Sequence, residues 1–190
     1  MTSDRHNAYL DAARDAILDV GWKRTTLTDV ARRAGVSRMT IYRAWPDMQT
    51  LLADLMTREW AGVATAVPEA EGDDVRPERV AVGVVAAVRA LRDNPLFRRI
   101  LDVDPDLVVP YLLDRRGRSQ DLILDVLAVR IATGQEQGHL RPGDPVLLAR
   151  TVLLAAHGFV LSAHTMAGDG LTEEQLDDEL GRLLGRGLAP

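Results

Sequence analysis

The stretch GVSRMTIYRAWPDMQTLL, residues 35–52, sets a glycine and a serine directly before a short basic helix, then closes that helix with Trp45 and Pro46. Gly35 can take a left-handed turn at low cost. Ser37 is placed to cap the helix by accepting a hydrogen bond from the backbone N–H of Met39 or Thr40. Just upstream, TLTDVARRA reads as another short helix, capped by Thr26, with Asp29 three residues on as an acidic variant of the capping box. Leu27, Val30, Ala31 and Ala34 give it an apolar face, Ala31 is small where two helices must approach, and Val36 and Ile41 fill the space between them. The spacing predicts two helices joined by a three-residue turn, the second with a rigid, exposed, positive start. That is the geometry of an element entering the major groove of DNA. Arg38, Met39 and Thr40 open this helix, and Tyr42 and Arg43 lie one turn on.

The charge distribution agrees. The 190 residues carry a net charge of −5, but residues 22–45 hold Lys23, Arg24, Arg32, Arg33, Arg38 and Arg43 against Asp29 alone, a local charge of +5. Residues 61–190 balance at −6. A basic face on an acidic body points to a polyanionic partner that the average charge hides.

Working outward, Leu10, Ala13, Ile17 and Val20 recur at helical spacing over residues 9–20, and Gly21 ends that element. Asp47 caps a further helix with Leu51, Leu52, Leu55 and Met56 inward. Residues 68–77, PEAEGDDVRP, read as an acidic loop or linker, and Pro77 opens a helix to residue 92. Pro95, Pro105 and Pro110 break the chain into short pieces up to about Arg115. Ser119 is expected to cap a helix to Gln137 with Leu122, Val126, Val129 and Ala132 inward. A strongly apolar helix runs from Pro145 to His164, and Thr172 caps the last one, ending near Gly187. No strand alternation competes, so the chain reads as all-α, with about nine helices.

The first 56 residues resemble the TetR family of transcriptional regulators through AARDAILDVGW, TTLTDVARRAGVS and TIYRAWPDMQTLL. Beyond them the likeness is one of length and helical layout. The resemblance implies a three-helix helix-turn-helix DNA-binding domain over 1–46 and a helical ligand-binding and dimerisation domain over 47–190. It implies a dimer on a near-palindromic operator of double-stranded DNA, released by a small-molecule effector. By position, Arg38, Met39 and Thr40 fall where base edges are read and Tyr42 on the family's phosphate-contacting tyrosine. Thr26 and Thr28 fall at the start of the helix that approaches the backbone, and Ser37 and Arg43 complete the DNA-binding set. Met48 stands where the family often has a phosphate-contacting lysine, and Trp45 where phenylalanine is commoner.

Other chemistries find little support. No cysteine occurs, so disulfides and thiolate metal sites are excluded. His157 and His164 share a helix face without further ligands, and Asp102, Asp104 and Asp106 lack the glycine and terminal glutamate of a calcium loop, so helix capping accounts for them better. No nucleophile elbow, P-loop or dinucleotide fingerprint is present, and no enzyme, metal or cofactor is expected. His139 is expected in solvent. The charged N-terminus is no signal peptide, and the longest apolar run, residues 80–88, is too short for a bilayer, so a cytoplasmic protein without membrane contact is expected.

The competing readings are a DNA-binding scaffold without effector, and a helical small-molecule-binding protein or enzyme whose basic face is incidental. The effector is expected to be largely apolar, among aliphatic side chains, Met166 and Phe159, with Tyr111, Arg130 and His157 as polar contacts. A homodimer through the last two helices follows from the width of their apolar surface: Val146, Leu147, Ala149, Val152, Leu153, Ala156, Val160 and Ala163, then Leu176, Leu180, Leu183 and Leu184.

Overall fold

The computed structural model describes residues 2–65 and 74–190. Helices α1 (Thr2–Val20), α2 (Leu27–Arg33), α3 (Arg38–Ala44) and α4 (Met48–Thr65) are followed by α5 (Pro77–Asp93) and α6 (Pro95–Val103). A 3-10 turn, Pro105–Leu107, leads to α7 (Val109–Leu113), α8 (Arg118–Glu136), α9 (Pro145–Met166) and α10 (Glu173–Leu188). Among the described residues the β-pairing is one isolated bridge, Gly168 with Leu171. The all-α expectation holds. The acidic stretch 68–77 lies outside the described residues except for its last four.

Contacts gather the chain into two units: Met1–Trp60 with Asp93–Ser119, and Ala61–Arg92 with Gln120–Pro190. In the first unit, Ile17, Val30, Ile41, Trp45, Leu51, Leu55 and Leu96 are sealed from solvent in one apolar cluster. The Trp45 indole donates to Asp54 Oδ2 at 2.9 Å, so the largest buried ring also satisfies its polar atom. α1 begins seven residues before the apolar periodicity does. Tertiary contacts hold that extension: the His6 ring lies 4.5 Å from Trp45, and Arg58 donates to the Asn7 carbonyl at 3.0 Å and pairs with Asp11 at 2.8 Å.

The segment from α6 to the 3-10 turn belongs to the same unit. Asp104, 2% exposed, accepts the Trp22 backbone N–H at 2.8 Å, and Lys23 pairs with Asp106 at 2.8 Å. Gly21, at φ +84°, sits so close that an added Cβ would meet Val103 at 3.0 Å and Asp104 at 3.2 Å. Two of the three alternating aspartates expected as helix caps, Asp104 and Asp106, therefore fasten the α1–α2 turn instead. The Asp104 side chain makes no cap bond to the 3-10 turn.

In the second unit, α8 buries Leu124, Ile131 and Gly134, not the expected face: Leu122, Val126 and Val129 are exposed. The helix starts at Arg118, so Ser119 lies inside its first turn and is not its cap. His139, expected in solvent, is half-buried with Nδ1 3.0 Å from Asp74 Oδ1. Thr172 caps α10 with a reciprocal Gln175 bond. Ala149, Val152, Val160, Ala163, Leu180 and Leu184, expected at a dimer interface, are buried inside the subunit. Val146, Leu147 and Leu183 of the same expected set are exposed, and the outer face of α9 carries Leu147 with Thr151, Leu154, Gly158, Leu161 and Thr165, at alternating steps of four and three residues. Leu147 and Leu154 are 61% and 72% exposed. Of the described helices α9 is long and apolar enough to cross a bilayer by composition, with 33% of that window buried, which the nine-residue run in α5 did not indicate.

Asp177 of α10, 1% exposed, is held by Arg92 Nη2 at 2.7 Å and Arg89 Nε at 2.8 Å. Burial pushes its carboxyl up, but the bonds from Arg92 and Arg89 outweigh this, and the net shift is below the ordinary 3.8. Such a group stabilises the fold above its unfolded pKa and loses that contribution as pH falls through the lower folded value. Asp177→Asn should cost about 3 kcal/mol near neutrality, because two arginines lose a buried partner. Urea denaturation should show the difference from the parent shrinking below about pH 4.

Candidate nucleic-acid interface

The turn between α2 and α3 is built by backbone bonding that the sequence foreshadows. The Val36 N–H donates to the Ala31 carbonyl at 3.0 Å and the Gly35 N–H to Arg32 at 3.3 Å, with Gly35 at φ +65°. This pair of bonds is a Schellman motif, which needs the left-handed residue where Gly35 stands. Ser37 then accepts the Thr40 N–H at 3.2 Å, as expected of a cap, and its hydroxyl also lies 2.9 Å from Thr40 Oγ1. Thr26 caps α2 through the Asp29 N–H at 3.2 Å, while its hydroxyl donates to Asp29 Oδ2 at 2.6 Å. That bond, with Arg32 nearby, holds the Asp29 carboxyl below its ordinary value despite some desolvation.

Ser37→Ala should lower stability by about 1 kcal/mol, and Ser37→Asp should recover it through the same bond. A melting temperature for Ser37→Asp below that of Ser37→Ala would contradict the capping role.

Ile41 and Trp45 anchor α3 to the core, fully buried. Helical spacing then sets Met39 and Arg43 on the side away from the core, with Arg38 and Tyr42 together along one flank. Met39 is 68% and Tyr42 47% exposed, and Arg38 and Arg43 are exposed. Thr26 is exposed and Thr28 half-exposed at the start of α2. Met48 packs against the core cluster, which explains why no cation stands there.

The basic count of the sequence overstates the free charge. Lys23 pairs with Asp106, Arg33 with Asp19 at 2.7 Å, and Arg32 with Asp29 at 3.6 Å. Arg24, Arg38 and Arg43 have no acidic partner among the described residues, and two of these three lie on α3. The pairing of Lys23 to Asp106, 83 residues apart, could not be read from sequence spacing.

The four expected effector contacts are distributed differently. Tyr111 lies on α7 in the first unit, with the Arg115 guanidinium 5.4 Å from its ring centre. Arg130, His157 and Phe159 are half-buried in the second unit. His157 and Phe159, two apart on α9, point to different sides. Burial pushes the His157 imidazole below its ordinary value, and its Nε2 lies 3.5 Å from the Gln120 amide. Met166 is exposed at the end of α9. A groove of about 740 Å³ runs between α5 and α10, floored by Ala81, Val85, Gly181 and Gly185 and rimmed by Glu78, Arg89 and Arg186; none of the four residues lines it. Among the described residues no three metal-ligating side chains converge.

Residues 10–55 match the family described as bacterial regulatory proteins, tetR family. The chain is 37% identical over 166 residues to an uncharacterized HTH-type transcriptional regulator of Mycobacterium bovis, covering 86% of this chain and 85% of that one. The transcriptional repressor QsdR of R. erythropolis, from the TetR family, shares the fold with a TM-score of 0.66 at 19% identity, over 97% of this chain and 96% of that one. The fatty acid degradation regulator FadR of Bacillus halodurans does so with a TM-score of 0.67 at 18% identity, over 95% and 94%.

Proposed function

Given that the chain belongs to the TetR family of bacterial regulatory proteins and is a DNA-binding transcriptional regulator, not an enzyme, we propose that it is a cytoplasmic repressor whose dimer reads a near-palindromic operator through paired α3 helices and leaves it when the helical domain takes up a largely apolar small molecule. The observation that carries this reading is α3 itself. A Schellman turn and a serine cap fix its start, Ile41 and Trp45 fix its inner face, and Arg38, Met39, Tyr42 and Arg43 are left outward.

Within this reading residues 1–46 do the reading of DNA, and 47–190 bind effector and partner. Arg38 pairs with a base edge, Met39, Thr40 and Arg43 lie against the groove floor or wall, and Tyr42, Thr26 and Thr28 contact the backbone. Ser37 acts by holding the helix start. Phosphate contacts set register, and base contacts select sequence. The effector's polar contacts are assigned to Arg130 and His157 of the second unit.

Dimerisation through C-terminal helices is typical of the family, and the outer face of α9 supports it here. Leu147, Leu154 and Leu161 recur every seven residues, with Thr151, Gly158 and Thr165 between them, the repeat of a seam that faces another helix. Among the described residues, nothing beyond its chain neighbours and its own helix backbone lies within 4 Å of a Cβ added at Gly158. A mid-helix glycine costs roughly 0.5–1 kcal/mol against alanine, and close approach of a second α9 accounts for keeping it. Two-fold pairing sets the half-sites about 34–36 Å apart or at a multiple of that.

Selection of duplexes from a random pool by the purified chain tests the proposal. Enrichment of an inverted repeat with that spacing is expected. Enrichment of a single unrepeated site, or of none, contradicts it.

A further inference from the structure

We propose that Met39 determines operator specificity by packing its thioether against the 5-methyl group of a thymine in each half-site. The inference rests on the DNA-reading function above and adds to it a base and an atom. On α3 the residue opposite the buried Ile41 side is not polar: Met39 is 68% exposed, with Arg43 one turn along the same outward row and Arg38 beside it. Both arginines lack an acidic partner among the described residues, so Met39 is a long apolar side chain with one unpaired cation next to it in the chain and another one turn along its own row. The Thr40 hydroxyl lies 2.9 Å from Ser37 Oγ and is occupied within the turn, which leaves Met39 and Arg43 as the outward row of this helix.

In the major groove the one apolar group that distinguishes a base pair is the thymine methyl, and the hydrogen-bonding edges beside it suit arginine at guanine. A flexible, polarisable thioether fits a methyl group without demanding a fixed geometry. Four residues of helix advance about 6 Å, close to two base steps of about 3.4 Å. The thymine therefore lies within about two base pairs of the base pair that Arg43 faces. A cytosine at the same position presents a polar amine and no methyl, so it is rejected.

The test is equilibrium binding of the full chain to its selected operator, with deoxyuridine replacing thymidine one position at a time in both half-sites. Uracil keeps every hydrogen-bonding group and loses only the methyl. One symmetric pair of positions should weaken binding about sixteen-fold, four-fold for each buried methyl, which corresponds to about 0.8 kcal/mol apiece. That penalty should vanish with Met39→Ala and persist with Met39→Leu. Installing 5-methylcytosine at the position of a cytosine-substituted operator separates the two contributions, since it should recover the methyl share alone. A parent chain indifferent to deoxyuridine at every position, or a penalty that survives Met39→Ala unchanged, overturns the methyl contact while leaving the DNA-binding function standing. Failure to enrich any duplex would overturn that function and this contact together.

Discussion

Leu154→Glu should turn a dimer of twice the 20.8 kDa chain mass into a monomer of that mass in sedimentation, without unfolding either unit. Leu154 is 72% exposed on the middle of α9, so within one chain the substitution touches solvent and glutamate is a good helix former. Its cost inside the subunit is therefore within about 0.5 kcal/mol. In a two-fold seam the change places two carboxylates across the axis and strips both of water, a penalty of several kcal/mol per ion. Operator affinity should fall with it by about a hundredfold or more, because each α3 then binds without the avidity of its copy. Gly158→Leu is expected to separate subunits as well, while raising the helix stability of the monomer. A variant that stays dimeric with Leu154→Glu would move the interface off α9. Leu153, favoured by the sequence pattern, is half-buried in the subunit and would confuse unfolding with dissociation.

Arg38→Ala should reduce affinity for the selected operator by roughly a thousandfold, about 2 kcal/mol in each of two half-sites, if its guanidinium pairs bidentately with guanine. Affinity for a scrambled duplex should fall only by the share of one phosphate-facing cation per subunit. Tyr42→Phe is the contrast, weakening both duplexes about equally, because a phosphate contact carries little sequence information. Equal losses for Arg38→Ala on both duplexes would assign Arg38 to the backbone and leave Arg43 as the base-reading arginine.

The helix-turn-helix was legible because its determinants are local. Gly35, Ser37, Thr26 and Asp29 act within a few residues of themselves, and each makes the bond its position implies. Faces decided by distant partners were less readable. α8 has two apolar arcs, one with Leu124 and Ile131 and one with Leu122, Val126 and Val129, and periodicity alone cannot choose between them. On α9 the widest apolar arc is the one the subunit itself consumes, so a reading by hydrophobicity named the core residues Ala149, Val152, Val160 and Ala163 beside the exposed Val146 and Leu147. The start of α1 has no amphipathic signal, since His6 and Asn7 are held by Trp45 and Arg58 across the fold. For the same reason the sequence counted Lys23, Arg32 and Arg33 toward a DNA-facing charge, though each is matched by an acid in the folded chain.

That pairing sharpens the central claim into a number. Within residues 22–45, Arg24, Arg38 and Arg43 have no acidic partner among the described residues and remain to displace counterions, six in the proposed dimer. Equilibrium binding of the labelled operator and of a scrambled duplex of equal length, at about 50 and about 200 mM salt, tests it most directly. Operator affinity should drop about a thousandfold between the two conditions, with the operator preferred over the scrambled duplex at both. Affinity that ignores salt, or that does not distinguish the two duplexes, would contradict a dimer reading DNA through α3.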